Sequence, residues 1–189
     1  MATADAIRDT ADTIIFLLRS ALPPMVDQDQ IFAATPDDFE DVQNPDRPVI
    51  TVFLYRVAIH SEMRNAPRRI LGDGRVTRPL LPLELHYMIT PWARETRDEL
   101  RIIGRILQSL YDHAEMGPAD LQGISWSPGD SVQLVLDSLP AEDHYRIWDS
   151  TDLPYRLSLT YIARVIGVEP DAGEVVPVVT SARFTSGVA

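Results

Sequence analysis

Four histidines are the residues of this 189-residue chain best suited to acid–base or metal chemistry. A metal site carried on one helix needs ligands one turn apart, as in His-x-x-x-His or His-Glu-x-x-His, and neither pattern occurs. His113-Ala114-Glu115 matches the His-x-Glu of zinc deaminases, but their Cys-x-x-Cys partner is impossible because the chain has no cysteine. The spacing therefore predicts no metal and no cofactor at these residues, which are His60, His86, His113 and His144.

Candidate nucleophiles lack the partners that would activate them. Ser131 ends a Pro-Gly-Asp-Ser stretch similar to the Gly-Asp-Ser of one esterase family, in which an Asp-x-x-His lies toward the C-terminus. Here Ala141 stands three residues before His144, so the acid of that motif is missing. A small hydrolase using His86, or His113 with neighbouring Asp112, is the enzyme alternative. Because no nucleophile, base and orienting group come together, we predict that the chain is not an enzyme.

Charge and composition narrow the choice of partners. The net charge of −11 argues against nucleic acid, since a phosphate backbone requires a basic surface. All 17 basic residues are arginine, whose planar guanidinium suits carboxylate pairing at interfaces. The N-terminal region carries Asp5, Asp9 and Asp12 where a signal peptide would be basic, and its apolar run at 14–18 is too short to cross a bilayer. We expect cytoplasmic assembly without membrane insertion.

The elements that must position these residues are those of an α/β (α+β) domain. Hydrophobic periodicity predicts helices over 3–22 and from Arg97 onward, and a short helix in "PAEDHYRIW". Alternation predicts strands in "QIFAA", "VITVFLYRVAIHS", "LPLELHYMIT", "VQLVLDSL" and "YRLSLTYIARVIGV". We predict a single mixed, mainly antiparallel sheet covered by two main helices. Residues 1–168 would form this domain, and 169–189 a C-terminal extension that acts as an edge strand or an arm.

Local signals make these expectations more specific. Thr96 and Glu99 have capping-box spacing at the start of the long helix. Its predicted buried stripe comprises Leu100, Ile103, Leu107 and Leu110, and its exposed face carries Arg97, Arg101 and Arg105. Gly72-Asp73-Gly74 predicts a hairpin turn, and the acidic segment 37–41 predicts a solvated loop.

Several stretches together resemble one known family. The specific part is the Leu-His-Tyr strand followed by Pro-Trp-Ala and its helix. In order and spacing the stretches are similar to the cap, or tube-terminator, proteins of phage-tail-like contractile injection systems of the antifeeding-prophage and virulence-cassette types. The resemblance runs from about residue 7 to 168 and rests on "FLYRV" (53–57), "MRN" (63–65), "RPLLPLELHYMITPWA" (78–93), "RIIGRILQSLYDHA" (101–114), "IW" (147–148) and "YRLSLTYIARV" (155–165).

The resemblance implies a structural role and a tail-terminator-like fold. Caps of this type form a six-fold ring on the distal end of the inner tube, stop its growth and tie down the last layer of the sheath. The implied partners are therefore further copies of the chain, the inner tube protein and the sheath protein, in a particle that can be released from the cell. A terminator or connector of an ordinary contractile phage tail is the alternative within this class.

A ring needs interface residues, and the sequence offers several candidates. Arg64, Arg68 and Arg69 form the densest cationic patch, with the acidic segment 37–41 of a neighbouring subunit as a plausible counterpart. In the valine-rich tail, Val178 and Phe184 are suited to pairing with another sheet edge. The other predicted interface residues are His86, Arg97, Arg101 and Arg105, and the predicted structural residues are Trp92 and Trp148.

Overall fold

A computed structural model describes residues 2–61, 69–70, 75–77, 79–151, 153–169 and 176–177. Short 3-10 helices at Gln28–Gln30 and Pro36–Asp38 precede β1 and α2. Within those residues the elements, in chain order, are α1 (Ala6–Ala21), β1 (Ile31–Ala33), α2 (Phe39–Val42), β2 (Val49–Ile59), β3 (Arg69–Ile70), β4 (Arg75–Thr77), β5 (Leu81–Trp92), α3 (Thr96–Asp112), β6 (Glu115–Met116), β7 (Val132–Leu136), α4 (Ala141–Asp149), β8 (Leu159–Val168) and β9 (Val176–Pro177).

The main sheet has six strands in the order β1-β2-β5-β8-β7-β6. Only the β1–β2 pair of this sheet is parallel, and its other pairs are antiparallel. The long strands β2 and β5 lie inside it, as expected of strands that are apolar on both faces. The predicted mixed, mainly antiparallel sheet is thus confirmed. A second sheet of three short strands, in the order β3-β4-β9, accompanies it.

The two main helices cover one face of the six-stranded sheet. Leu85, Tyr87 and Ile89 of β5 project to this face because alternate side chains of a strand share one side. They join one buried cluster with residues of both helices, including Ile14 and Leu18 of α1 and Ile102, Ile106 and Leu110 of α3. None of the helices in the described ranges is long and apolar enough to cross a membrane.

The start of α3 differs from the predicted capping box. The helix begins at Thr96, close to the predicted start, but its N-cap residue is Glu95 and no side chain caps it. Glu99 instead accepts hydrogen bonds from the Ala93 backbone N–H (3.3 Å) and the Arg156 guanidinium (2.5 Å). The capping-box prediction is wrong because a distant arginine binds the carboxylate.

The buried stripe of α3 is also rotated from the predicted one. Ile102, Ile103, Ile106 and Leu110 are buried, whereas Leu100 is 54% exposed and Leu107 is only partly buried. Both stripes satisfy the helical period, and packing against the sheet selects the one that contains the isoleucines.

Helices α2 and α4 cover part of the opposite face of the sheet. Phe39 of α2 is fully buried there, between Trp92 (ring centroids 5.4 Å apart) and Trp148 (6.0 Å). The acidic segment 37–41 is therefore not a simple solvated loop, although its carboxylates are exposed. Asp38 accepts hydrogen bonds from the backbone N–H (2.7 Å) and hydroxyl (2.8 Å) of Thr35, which closes the turn and places Phe39 in the core.

The strands on either side of the predicted hairpin turn pair in antiparallel register, Arg69 with Thr77 and Ile70 with Val76, and the turn itself at 72–74 lies outside the described residues. Strand β9 pairs with β4 of the same chain at the edge of this small sheet. The rest of the predicted extension, 170–175 and 178–189, lies outside the described residues, so its role as an edge strand or an arm stays a prediction. Of the predicted interface residues, Arg64, Arg68, Val178 and Phe184 lie outside the described residues, and Arg69 is described only as backbone.

A buried carboxylate joins α1 to the loop before β7. Asp9 is fully buried and accepts hydrogen bonds from Arg8 (2.7 Å) and the Ser125 backbone N–H (3.1 Å). Burial raises the pKa of Asp9, but these hydrogen bonds outweigh it and leave the pKa below its ordinary value. Gly123 (φ +91°) lies against the carboxyl group: an added Cβ would meet Asp9 Cγ at 2.1 Å. The loop therefore needs glycine both for its backbone angle and for this close approach.

Candidate interaction surfaces

His86 lies among polar and aromatic groups on the face of the sheet that also carries α2 and α4. The residue is 7% exposed, its Nδ1 lies 3.8 Å from Asp137 Oδ2, and its ring centroid lies 5.9 Å from that of Tyr55. His86 Nε2 and the Tyr55 hydroxyl are buried without a hydrogen-bond partner in the described part of the chain. The pKa of His86 is lowered, mainly by burial and secondly by the positive charge of Arg56. The pKa of Tyr55 is raised to about 12, mainly by burial and secondly by the negative charge of Asp137.

An ion pair extends this polar strip across two strands. Glu84 of β5 accepts a hydrogen bond from Arg164 Nε of β8 (3.1 Å), its cross-strand partner in the ladder. His60 Nε2 lies 3.8 Å from the same carboxylate. These are partly buried pairs within one subunit, so they stabilise the sheet rather than offer free ligands.

The structure brings together one histidine–serine pair that the sequence reasoning missed. His144 Nε2 lies 2.9 Å from Ser158 Oγ, fourteen positions away in the chain. The same hydroxyl accepts a hydrogen bond from the Trp148 indole N–H (3.1 Å) and donates to the Arg156 carbonyl (3.3 Å). Ser158 is only 5% exposed. The pair therefore joins α4 to the segment before β8 and does not present a hydroxyl for attack.

The other histidine with a candidate role ends a helix. His113 Nδ1 lies 2.8 Å from the Ser109 carbonyl oxygen at the C-terminus of α3, a position where an imidazole binds the last carbonyls. In the described ranges, no three side chains of histidine, aspartate or glutamate cluster as metal ligands would. His86, His113 and His144 occupy separate places in the fold, so they do not form one catalytic site.

The three arginines of α3 share one exposed face, as the i, i+4 spacing predicts. Arg101 lies 3.9 Å from Asp98 on the preceding turn. Arg105 donates to the Ala21 carbonyl at the end of α1 (3.1 Å) and to Gln108 (2.6 Å), so it also holds the two helices together. Among the predicted interface arginines whose side chains the structure describes, Arg97 and Arg101 are exposed and make no contact with α1.

Arg156 is the arginine that sequence reasoning overlooked. It binds Glu99 of α3 and the Gln43 carbonyl after α2 (2.8 Å), and its guanidinium lies 5.0 Å from the Trp92 ring centroid. It therefore connects elements from both faces of the sheet at the strand-to-helix corner. The only sequence signal is an arginine in an otherwise apolar run, which gives no indication of its partners.

One buried histidine, His86, and one partly buried histidine, His144, predict a pH dependence of stability. Burial lowers the pKa of both His86 and His144 below the ordinary value of 6.5. Below that value the unfolded chain binds more protons than the folded chain, so stability falls as the pH falls from 7 toward 5. We expect the free energy of unfolding in urea to decrease over this range, and to decrease less in the His86→Gln/His144→Gln variant. An equal slope in parent and variant would contradict this assignment.

With the geometry described, the fold defines the class of protein: a mixed α/β domain built on one mainly antiparallel six-stranded sheet. The chain belongs to the family described as the Pvc16 N-terminal domain, whose model matches residues 9–181. No curated protein matches the chain. The family resemblance found in the sequence is thereby confirmed.

Solved structures show the same fold. The sheath/tube terminator of PVC, an extracellular contractile injection system, in its extended state has a TM-score of 0.63 at 22% identity, covering 97% of this chain and 64% of that one. The tube-terminating cap of the anti-feeding prophage has a TM-score of 0.61 at 23% identity, covering 98% of this chain and 62% of that one. This chain thus spans less than two thirds of the length of either protein. At these identities the likeness establishes the fold.

Proposed function

We propose that this chain is the cap subunit that ends the inner tube of a contractile injection system and anchors the last layer of its sheath. The observation that carries the proposal is the family match over 9–181, joined by fold similarity to a sheath/tube terminator and a tube-terminating cap. The first of these structures comes from an extracellular contractile injection system, which favours this role over that of a connector in an ordinary phage tail.

The assembly we propose is a ring of six copies seated on the tube. A ring of rotational symmetry joins two different surfaces of the same subunit, so each copy needs two complementary patches. The exposed arginine face of α3 is one candidate patch on an otherwise acidic chain. The tube protein and the sheath protein are the further partners, and the particle assembles in the cytoplasm before any release.

Loss of the chain from cells that make the particle tests this role. Without a terminator, tube polymerisation has no end point, so we expect tubes of widely varying length and sheaths detached from the distal end. Electron microscopy of purified particles measures both properties. Restoring the intact chain should return a single tube length. Particles of normal length with attached sheath in its absence would show that another protein ends the tube.

A matched variant separates structural from catalytic roles. His86→Gln/His113→Gln removes both histidines of the hydrolase alternative. We expect particles of normal length and normal activity wherever the variant chain folds and assembles. Normal-length particles that lose a turnover activity present in the purified parent would contradict the structural proposal.

A further inference from the structure

Strand β2 has a free edge along its C-terminal half. Strand β1 covers β2 only at Ile50–Val52, and no other described strand pairs with β2 on that side. His60 N–H donates to the Pro82 carbonyl (3.0 Å), so alternate residues of β2 direct their backbone groups toward β5. Val57 and Ile59 therefore direct theirs outward, away from the sheet. A free edge of this kind can accept a strand from another chain.

The side chains at this edge are apolar on one face of the sheet and charged on the other. Val57 and Ile59 pair across the ladder with residues of the buried helix-face cluster, yet they are 49% and 45% exposed. Arg56 pairs with His86 and so lies on the opposite face, where it is exposed. Within the described ranges, Arg56 belongs to no ion pair. The edge thus offers backbone hydrogen-bonding groups, two aliphatic side chains and one cation.

The opposite end of the six-stranded sheet has matching features. Leu134 N–H donates to the Ala114 carbonyl (2.8 Å), so Glu115 of β6 directs its own N–H and C=O outward. The exposed side chain of Glu115 lies on the face that carries Arg56. No residue in the described part of the chain forms an ion pair with Glu115. This end of the sheet therefore carries an anion where the β2 end carries a cation.

An open apolar groove lies at the β6 end, on the helix face. It has a volume of about 340 Å³ and lies between the C-terminal half of α3 and strands β7 and β8. Tyr111 and Leu136 in its lining are 82% and 47% exposed, and Ala114, the residue before β6, also lines it. Exposed apolar side chains grouped around a groove mark an interaction surface. Val57 and Ile59 of another subunit are suited to cover it, because they too lie on the helix face.

We propose that the free edge of β2 in one subunit pairs with β6 of the next subunit, so that the six-stranded sheets join end to end around the ring. Val57 and Ile59 then contact the groove beside β6, and Arg56 pairs with Glu115 on the other face. The ladders place Glu115 level with Ala58, so continuation of the sheet brings these edges together. Because the two edges differ, the contact is head-to-tail, as a closed ring requires. The inference rests on the proposed function, in which copies of this chain form a ring.

Charge reversal tests the contact, with native mass spectrometry of the full-length chain as the measurement. Arg56→Glu and Glu115→Arg each place like charges across the contact, so we expect each to reduce ring content about tenfold. The Arg56→Glu/Glu115→Arg variant restores opposite charges, so we expect its ring content to return toward that of the parent. Arg94→Glu is the matched control, because Arg94 is an exposed arginine that pairs with Asp46 and follows β5, away from both edges. Ring content as low in the double variant as in the single variants would contradict the pairing of Arg56 with Glu115.

Cysteine cross-linking tests which edges meet, because the chain has no cysteine of its own. The Val57→Cys/Ala114→Cys variant leaves Arg56 and Glu115 in place, and both substituted positions are exposed. Within one subunit, four strand spacings of about 4.8 Å separate them, which is beyond the reach of a short bis-maleimide. We expect this reagent to give a ladder of cross-linked species up to the closed ring. We expect each single variant to form none, since a head-to-tail contact brings the two different positions together.

Each other outcome has a definite meaning. Cross-linked dimers of Val57→Cys alone would show a symmetric contact and overturn the head-to-tail arrangement. Rings of the parent chain without cross-links in the folded double variant would overturn this contact and leave the cap function standing. Closed rings of Arg56→Glu in particles that lack sheath would assign the β2 edge to the sheath protein and overturn the contact as well. A parent chain that stays monomeric at every concentration, and in particles, would overturn the proposed ring and this inference with it.

Discussion

Trp148→Ala should lower the free energy of unfolding by about 3–5 kcal/mol, the usual cost of removing a large aromatic side chain from a core. Trp148 is 1% exposed and lies 5.9 Å from Trp92 and 6.0 Å from Phe39, ring centroid to ring centroid. Its indole N–H also donates to Ser158 Oγ (3.1 Å), so the substitution removes a buried hydrogen bond as well. Urea unfolding followed by circular dichroism measures the loss.

The neighbouring tryptophan and a less buried one serve as comparisons. Trp92→Ala should cost about as much, because Trp92 is also 1% exposed, donates to Thr51 Oγ1 (2.9 Å) and lies under Arg156. The Trp92/Trp148 double variant should cost less than the sum, since each single change already removes their mutual contact. Trp126→Ala, at a partly buried site, should cost less than either. Equal, small losses at all three positions would contradict the packing.

Gly123→Ala should also destabilise the fold strongly, by about 3 kcal/mol, because it combines backbone strain with disruption of a buried hydrogen-bond network. The glycine has φ +91°, and a Cβ would stand 2.1 Å from both Cγ and Oδ2 of Asp9. That carboxylate cannot move aside without leaving the Ser125 backbone N–H, to which it is hydrogen bonded at 3.1 Å.

A double-mutant cycle separates the clash from the strain. Asp9→Ala alone leaves the buried Ser125 N–H without its acceptor, which costs about 1–3 kcal/mol. In the Asp9→Ala/Gly123→Ala variant the carboxyl group is gone, so Gly123→Ala should cost only the strain of the backbone angle. The double variant should thus be more stable than the sum of the singles predicts. Strict additivity would show that the approach of Gly123 to Asp9 carries no energy.

The elements of this protein follow largely from its local sequence. The alternation through β5 places Leu85, Tyr87 and Ile89 on one face, because successive side chains of a strand must point to opposite sides. Gly72 to Gly74 lie between two strands that pair as predicted. The family resemblance also needs only the order of such stretches. Strand order, the parallel β1–β2 pair and the separate three-stranded sheet do not follow from periodicity.

Helix α3 shows where local information stops. Its sequence allows a buried stripe through Leu100 and Leu107 or one through Ile102 and Ile106, since both obey the helical repeat. The sheet beneath accepts the second, and this choice leaves Leu100 exposed beside Gly104. The exposure of Leu100 therefore follows from a rotation of the helix that the sequence pattern alone did not fix.

The sequence by itself determined the period of each long element, the lack of cysteine chemistry and the family, because these depend on residue types and short spacings. Only the tertiary structure decided which polar groups meet. Arg156 binds Glu99 across 57 positions, and Ser125 binds Asp9 across 116. Covalent geometry fixes the relative positions of side chains only a few residues apart in the chain. The distant pairs form only once the sheet has brought their segments together. The surfaces of α3 and α4 are likewise defined by that packing.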